Sequence, residues 1–86
     1  MKRFDYVVTD PAGIHARSAG ILVKWLKGCG DVAVTVTRGE ESADARRLMA
    51  LLGLGVRQGE AVSVGVEGEK EEEIAVKIEE FFKAYF

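Results

Sequence analysis

Residues 32–37 read Val32-Ala33-Val34-Thr35-Val36-Thr37. Three valines fall on one side of an extended chain, with alanine and two threonines on the other. A period of two with β-branched residues marks a strand that buries a single face. The same pattern returns at residues 61–66, where Val62, Val64 and Val66 face one way. Two strands with one apolar face each need cover on that face only. They therefore point to an antiparallel sheet with helices packed on one side.

The helices follow from a second period. In residues 16–27 (ARSAGILVKWLK), Ala19, Leu22, Val23 and Leu26 fall at i, i+3, i+4 and i+7. This is one buried helical stripe, and Gly28 and Gly30 end it. Residues 69–85 form a last helix that places Ile74, Ile78, Phe81, Phe82 and Tyr85 on one face. Its Glu-rich first turn suits the positive end of the helix dipole.

Shorter elements fill the gaps. Residues 3–9 read as a strand, with Phe4, Tyr6 and Val8 alternating, before a turn at Asp10-Pro11-Ala12-Gly13. Arg38-Gly39 turns the chain into a short strand near residues 40–43. Asp44 then serves as the cap of a short helix over residues 45–52, which stops at Gly53. The order is β-α-β-β-α-β-α. The expected architecture is an α+β open-faced sandwich, a four-stranded antiparallel sheet with three helices on one face, in a single domain over residues 1–86.

Composition bounds the function. The 86 residues carry 12 Lys and Arg against 14 Asp and Glu. Residues 67–86 hold a net −4 and the first 66 a net +2. No long basic run appears, and the alternating strands lack aromatics, so nucleic-acid binding is not expected. A lone Cys29 excludes a disulfide within the chain and fits a reducing compartment. No apolar run approaches the roughly 20 residues of a membrane span. The N-terminus meets Asp5 before any apolar run, unlike a signal peptide. These features predict a cytoplasmic protein without membrane insertion.

The one histidine, His15, stands between a loop and the first turn of a helix. The first amides of a helix have no partner within it and lie at the positive end of its dipole, so they form an anion site. The same end favours neutral imidazole, the nucleophilic form. The amides of Ala16, Arg17 and Ser18 could hold a phosphoryl group on His15. Arg17 adds a planar donor fork that matches phosphate oxygens, and Ser18 adds a hydroxyl. From residue types alone the plainer reading, a histidine that merely caps a helix at the surface, is the commoner one. A metal site would need further ligands, and no second histidine exists. Gly53, Gly55 and Gly59 lack the Gly-Lys-Ser/Thr ending of a phosphate loop. Trp25, Cys29 and the Phe81-Phe82-Tyr85 group read as packing residues, and Glu71-Glu72-Glu73 as a solvated first turn.

The run Gly13-Ile14-His15-Ala16-Arg17 resembles the active-site signature of the histidine-containing phosphocarrier protein (HPr) family of the phosphoenolpyruvate-dependent phosphotransferase system. The resemblance extends through Leu48-Met49, the Leu54-Gly55-Val56…Gly59 segment and the acidic start of the last helix. It implies that His15 accepts phosphate from enzyme I, charged by phosphoenolpyruvate, and donates it to IIA domains of sugar permeases. Arg17 would be the phosphate partner, and no cofactor is implied. Gly20, Lys24 and Lys27 share a face with Arg17, and together with Arg47, Leu48 and Leu52 they would form the docking surface for partners. A monomer is expected.

Two positions depart from the family pattern. Ser18 stands where the family has proline. Arg47 stands where many members carry a serine phosphorylated by a dedicated kinase; Ser42 does not align with it. A nitrogen-related or regulatory binding module is therefore the alternative function. An independent small enzyme is disfavoured, because no second acid or base serves His15.

Overall fold

The computed structural model describes all 86 residues, Met1–Phe86. The order is β1 (Lys2–Val7), α1 (Ala16–Lys27), β2 (Val32–Arg38), β3 (Glu41–Asp44), α2 (Leu48–Gly53), β4 (Ala61–Gly68) and α3 (Glu71–Tyr85). The four strands form one antiparallel sheet in the order β1-β4-β2-β3. No helix is long and apolar enough to cross a membrane.

The alternating valines set the register. Val34 pairs with Val66 and Val36 with Val64, so the two central strands present their branched side chains to the same side. All six valines read from the alternation are buried. Threonine and alanine occupy the opposite face, which no helix covers. All four residues of the predicted α1 stripe are buried; Ala19, Leu22 and Leu26 join this valine layer in the core, while Val23 lies outside it. From α3, Ile74, Ile78 and Phe82 complete the core. Phe82 is fully enclosed and meets Phe4 and Tyr6 edge-on, at ring-centre distances of 5.7 and 5.6 Å. Truncating a buried phenylalanine of this kind costs about 3–5 kcal/mol.

Several element boundaries, one helix cap and one helical face differ from the sequence pattern. α2 begins at Leu48, not at residue 45, and its N-cap is Arg47 rather than Asp44. Asp44 is the last residue of β3, paired with Thr35. The amide of the fully buried Ala45 still donates to the Val34 carbonyl, 2.9 Å. The chain therefore stays tied to β2 one residue past β3, and the Asp44 carboxylate caps only a turn, accepting the Arg46 amide at 2.9 Å. Arg46 reinforces that turn by donating from Nε to the Val32 carbonyl.

At the other end, α3 starts at Glu71, after Lys70 in a left-handed conformation. Its aromatic face also differs. Tyr85 is 43% exposed and stacks on the half-buried Phe81, while Phe86 is buried instead. Phe86 caps the helix and continues the stripe of Ile74, Ile78 and Phe82 at a spacing of four: its amide donates to the Phe82 carbonyl at 2.8 Å, and the two rings lie 4.9 Å apart. Finally, β1 runs over residues 2–7 rather than 3–9, leaving Val8 and Thr9 to begin the loop that leads to His15.

Candidate functional site

The site is assembled where three segments meet: the loop 8–14, the start of α1, and the loop 54–60 after α2. Gly13 is the joint. Its φ is +68°, a region that side chains other than glycine rarely adopt. A Cβ there would also run into the Val56 carbonyl and the Arg57 backbone. The next residue, Ile14, donates its amide to that same Val56 carbonyl at 3.1 Å and buries its side chain. On the other side, Gly59 donates to the Val8 carbonyl at 2.7 Å, and Val8 donates to the Glu60 carbonyl at 2.9 Å. The loop carrying Asp10 and the step into His15 are thus held between two backbone attachments.

His15 is the N-cap of α1, with extended dihedrals (φ −115°, ψ 166°). The Ala19 amide donates to the His15 carbonyl at 2.9 Å, so the amides of Ala16, Arg17 and Ser18 precede the helical ladder. The histidine side chain does not cap them. The imidazole is about one-third exposed (34%) and is held instead by its Nε2 atom. Ser18 Oγ lies 3.0 Å from Nε2, and Asp10 Oδ2 lies 3.6 Å from the same nitrogen. The other carboxylate oxygen of Asp10 accepts the Ala12 amide at 2.8 Å, which fixes the turn through Pro11. Nδ1 has no hydrogen-bond partner within the chain.

Ser18 is the residue whose placement differs most from expectation. It is 3% exposed, the one buried polar residue of the chain, and its hydroxyl turns to the imidazole. Arg17 is exposed and makes no ion pair or hydrogen bond, so its guanidinium is free to meet an anion at the helix start. In the sequence Asp10 signals only a turn. Its role in the turn uses one oxygen, and the sequence gives no sign that the second faces the histidine.

The expected docking residues lie on α1, on α2 and at the N-cap of α2, and the two helices pack against each other. Lys24, Lys27 and Arg47 are exposed; Gly20, Leu48 and Leu52 are half-buried. Leu48 and Leu52 pack against the core while retaining exposed surface. Two exposed apolar residues on these helices lie outside the expected set: Met49, 78% exposed, and Ile21, 41% exposed. Helical spacing carried the signal, since Ile21 follows Arg17 by four residues and precedes Lys24 by three.

A profile of the family described as the PTS HPr component phosphorylation site matches residues 2–84. The chain belongs to the HPr family. Among relatives, the phosphocarrier protein HPr of Lysinibacillus sphaericus is 36% identical over 73 residues, covering 85% of this chain and 82% of the relative. A multiphosphoryl transfer protein of Xanthomonas campestris is 36% identical over 67 residues, 78% of this chain but 8% of that much longer protein. Among solved structures, an HPr from Thermoanaerobacter tengcongensis superposes with a TM-score of 0.88 at 27% identity, covering 100% of this chain and 96% of its own. The HPr fold is the open-faced sandwich described above. This chain is therefore of the phosphocarrier family of the phosphotransferase system. The sandwich carries its helix start, loop and histidine on one rim.

Proposed function

We propose that His15 is the phosphorylated residue, that it takes a phosphoryl group from enzyme I charged by phosphoenolpyruvate, and that it passes the group to IIA domains of sugar permeases. One observation carries this reading. Nε2 is engaged by Ser18 and Asp10, while Nδ1 has no partner within the chain. With its proton on Nε2, the neutral ring has a lone pair on Nδ1. That lone pair forms the N–P bond as the bond from phosphorus to the donor breaks, and the electron pair leaves with the donor. No proton has to leave Nδ1. The incoming oxygens would meet the amides of Ala16, Arg17 and Ser18, with the Arg17 guanidinium closing the remaining side. Gly20, Lys24, Lys27, Arg47, Leu48 and Leu52 would form the contact surface, an apolar patch rimmed by cations that suits acidic partners. In this reading the protein works in the cytoplasm as a monomer and needs no cofactor or metal.

The deciding experiment is intact mass spectrometry after incubation with enzyme I and phosphoenolpyruvate. Wild type should gain one acid-labile phosphate and His15→Ala none. A second reading, a regulatory or nitrogen-related module, is favoured by Arg47 at the position of the family's kinase-targeted serine. It predicts phosphate uptake from a nitrogen-branch enzyme I with little transfer to sugar IIA domains. Comparing the two enzymes as donors separates the readings.

A further inference from the structure

The family pattern has proline at position 18, and a proline ring offers neither a hydroxyl nor an amide proton. We propose that Ser18 and Asp10 are positioning residues that lock the His15 imidazole with its proton on Nε2 and Nδ1 facing outward. This rests on the phosphocarrier reading and deepens it.

The geometry supports the assignment of each atom. An ionised carboxylate only accepts hydrogen bonds. A lone pair on Nε2 would face the Asp10 Oδ2 lone pairs at 3.6 Å, whereas a proton there faces an acceptor. The Ser18 hydroxyl serves either way, so Asp10 decides the polarity: Nε2–H donates to Ser18 Oγ at 3.0 Å, with Asp10 behind it. Neither partner is free to drift. Ser18 is buried in the first turn of α1, and Asp10 is tied through Oδ1 to the Ala12 amide. Position 18 lies three residues after His15, which puts its side chain beneath the N-cap ring.

The same arrangement matters after transfer. A phosphoryl group on Nδ1 of a ring still protonated at Nε2 leaves that ring cationic. Asp10 Oδ2 lies next to the positive charge, and the Ser18 oxygen still accepts the proton. The lock is thus matched to the phosphorylated ring as well as to the free one. A proline at position 18 would leave the ring orientation to other contacts. Here a serine hydroxyl supplies it.

The test is the ring proton itself. In 1H–15N spectra of unphosphorylated protein labelled on histidine, wild type should show a slowly exchanging Nε2–H correlation. Exposed ring protons without a partner exchange too fast to be seen. Ser18→Ala and Ser18→Pro should lose the correlation, and Ser18→Thr, which keeps the hydroxyl, should restore it. Asp10→Asn should speed its exchange while leaving the Ala12 turn in place. With enzyme I as phosphoryl donor, kcat should fall about fivefold in Ser18→Ala, the loss expected for one hydrogen bond, with KM for the carrier unchanged. A Ser18→Ala protein with the ring correlation and kcat of wild type would overturn the proposal. An Asp10→Asn protein indistinguishable from wild type would remove Asp10 from it. A wild type that shows the protected ring proton yet accepts no phosphate would sink the phosphocarrier reading while leaving the locked ring in place.

Discussion

The carbonyl oxygen of Phe86 accepts the amide proton of Asp10 at 2.9 Å, joining the end of α3 to the loop that holds His15. The neighbouring Thr9 amide donates to the same oxygen at 2.6 Å. The Phe86 ring is buried against Phe82 and Phe81, so the aromatic core anchors the carbonyl that positions Asp10. Phe86 is therefore one of the residues through which core and site are mechanically joined. Phe86→Ala should cost about 3–5 kcal/mol in denaturant unfolding, as expected for a buried phenylalanine. It should also raise amide exchange at Thr9 and Asp10 well above that of β4. A variant as stable as wild type, with both amides still protected, would show that the tether does not depend on the ring.

Gly13 sets how closely the loop approaches Val56. Any side chain there meets two penalties at once: a positive φ and a collision with backbone atoms that cannot rotate away. Gly13→Ala should destabilise the protein by at least about 2 kcal/mol. Phosphate uptake should fall even at temperatures where the variant is folded, because His15 follows the displaced joint by two residues. Thermal melting and uptake measured on one preparation check both. Unchanged melting would mean that the loop yields without cost.

The chemistry of His15 and the support from Arg17 separate cleanly in mutants. His15→Ala removes a partly exposed ring and leaves the buried Ser18 hydroxyl without its partner, so stability should fall by about 1–3 kcal/mol with the fold retained. Phosphate uptake should vanish. An unfolded variant would assign the histidine a structural role instead. Arg17 has no partner to lose, so Arg17→Ala should alter stability by no more than about 0.5 kcal/mol. Its transfer rate should drop by roughly tenfold or more, the effect of removing one donor fork from a phosphoryl group. Stopped-time mass spectrometry gives the rate, and an unaltered one would take Arg17 out of the mechanism.

The sheet and two helices were legible because their signals are periodic and local. Val32, Val34 and Val36, the matching valines of β4, and the Ala19-to-Leu26 stripe all point inward as their spacing requires. The site was legible in part. His15, Arg17 and the helix start lie in one short run, but the partners of the ring do not announce themselves. Asp10 reaches His15 only because Phe86, Val56 and Gly59 hold the loop from three distant points in the chain. The misplaced α2 start has a similar origin. Asp44 looks like a helix cap, yet Ala45 is still hydrogen-bonded to Val34 across the sheet. Phe86, by contrast, follows from local spacing, since it continues the Ile74, Ile78 and Phe82 stripe that Tyr85 leaves. At Asp10 and Asp44 a long-range contact overrode a local preference.

Glu60 offers a test through pH. Its carboxylate accepts the Arg57 amide at 2.7 Å, and both of its oxygens receive Arg38 Nη1, at 3.3 and 3.1 Å. The Arg57 amide first, and the Arg38 guanidinium after it, hold its pKa below the ordinary 4.5. A carboxylate depressed in the folded state binds its proton more readily when unfolded, so it stabilises the fold above the unfolded value. That contribution is lost as pH falls through the lower, folded value. The loop it fixes is the one that presents Val56 to Gly13 and Ile14. Glu60→Gln should therefore be less stable than wild type at pH 7. The gap should narrow below about pH 5 and close once the wild-type carboxylate is itself protonated. Urea titrations of both proteins from pH 7 to pH 3 measure it, and because Glu60 is accessible to solvent the gap should also shrink with added salt. Parallel curves across the whole range would show that the Arg57 and Arg38 contacts do not distinguish the charged carboxylate from an amide.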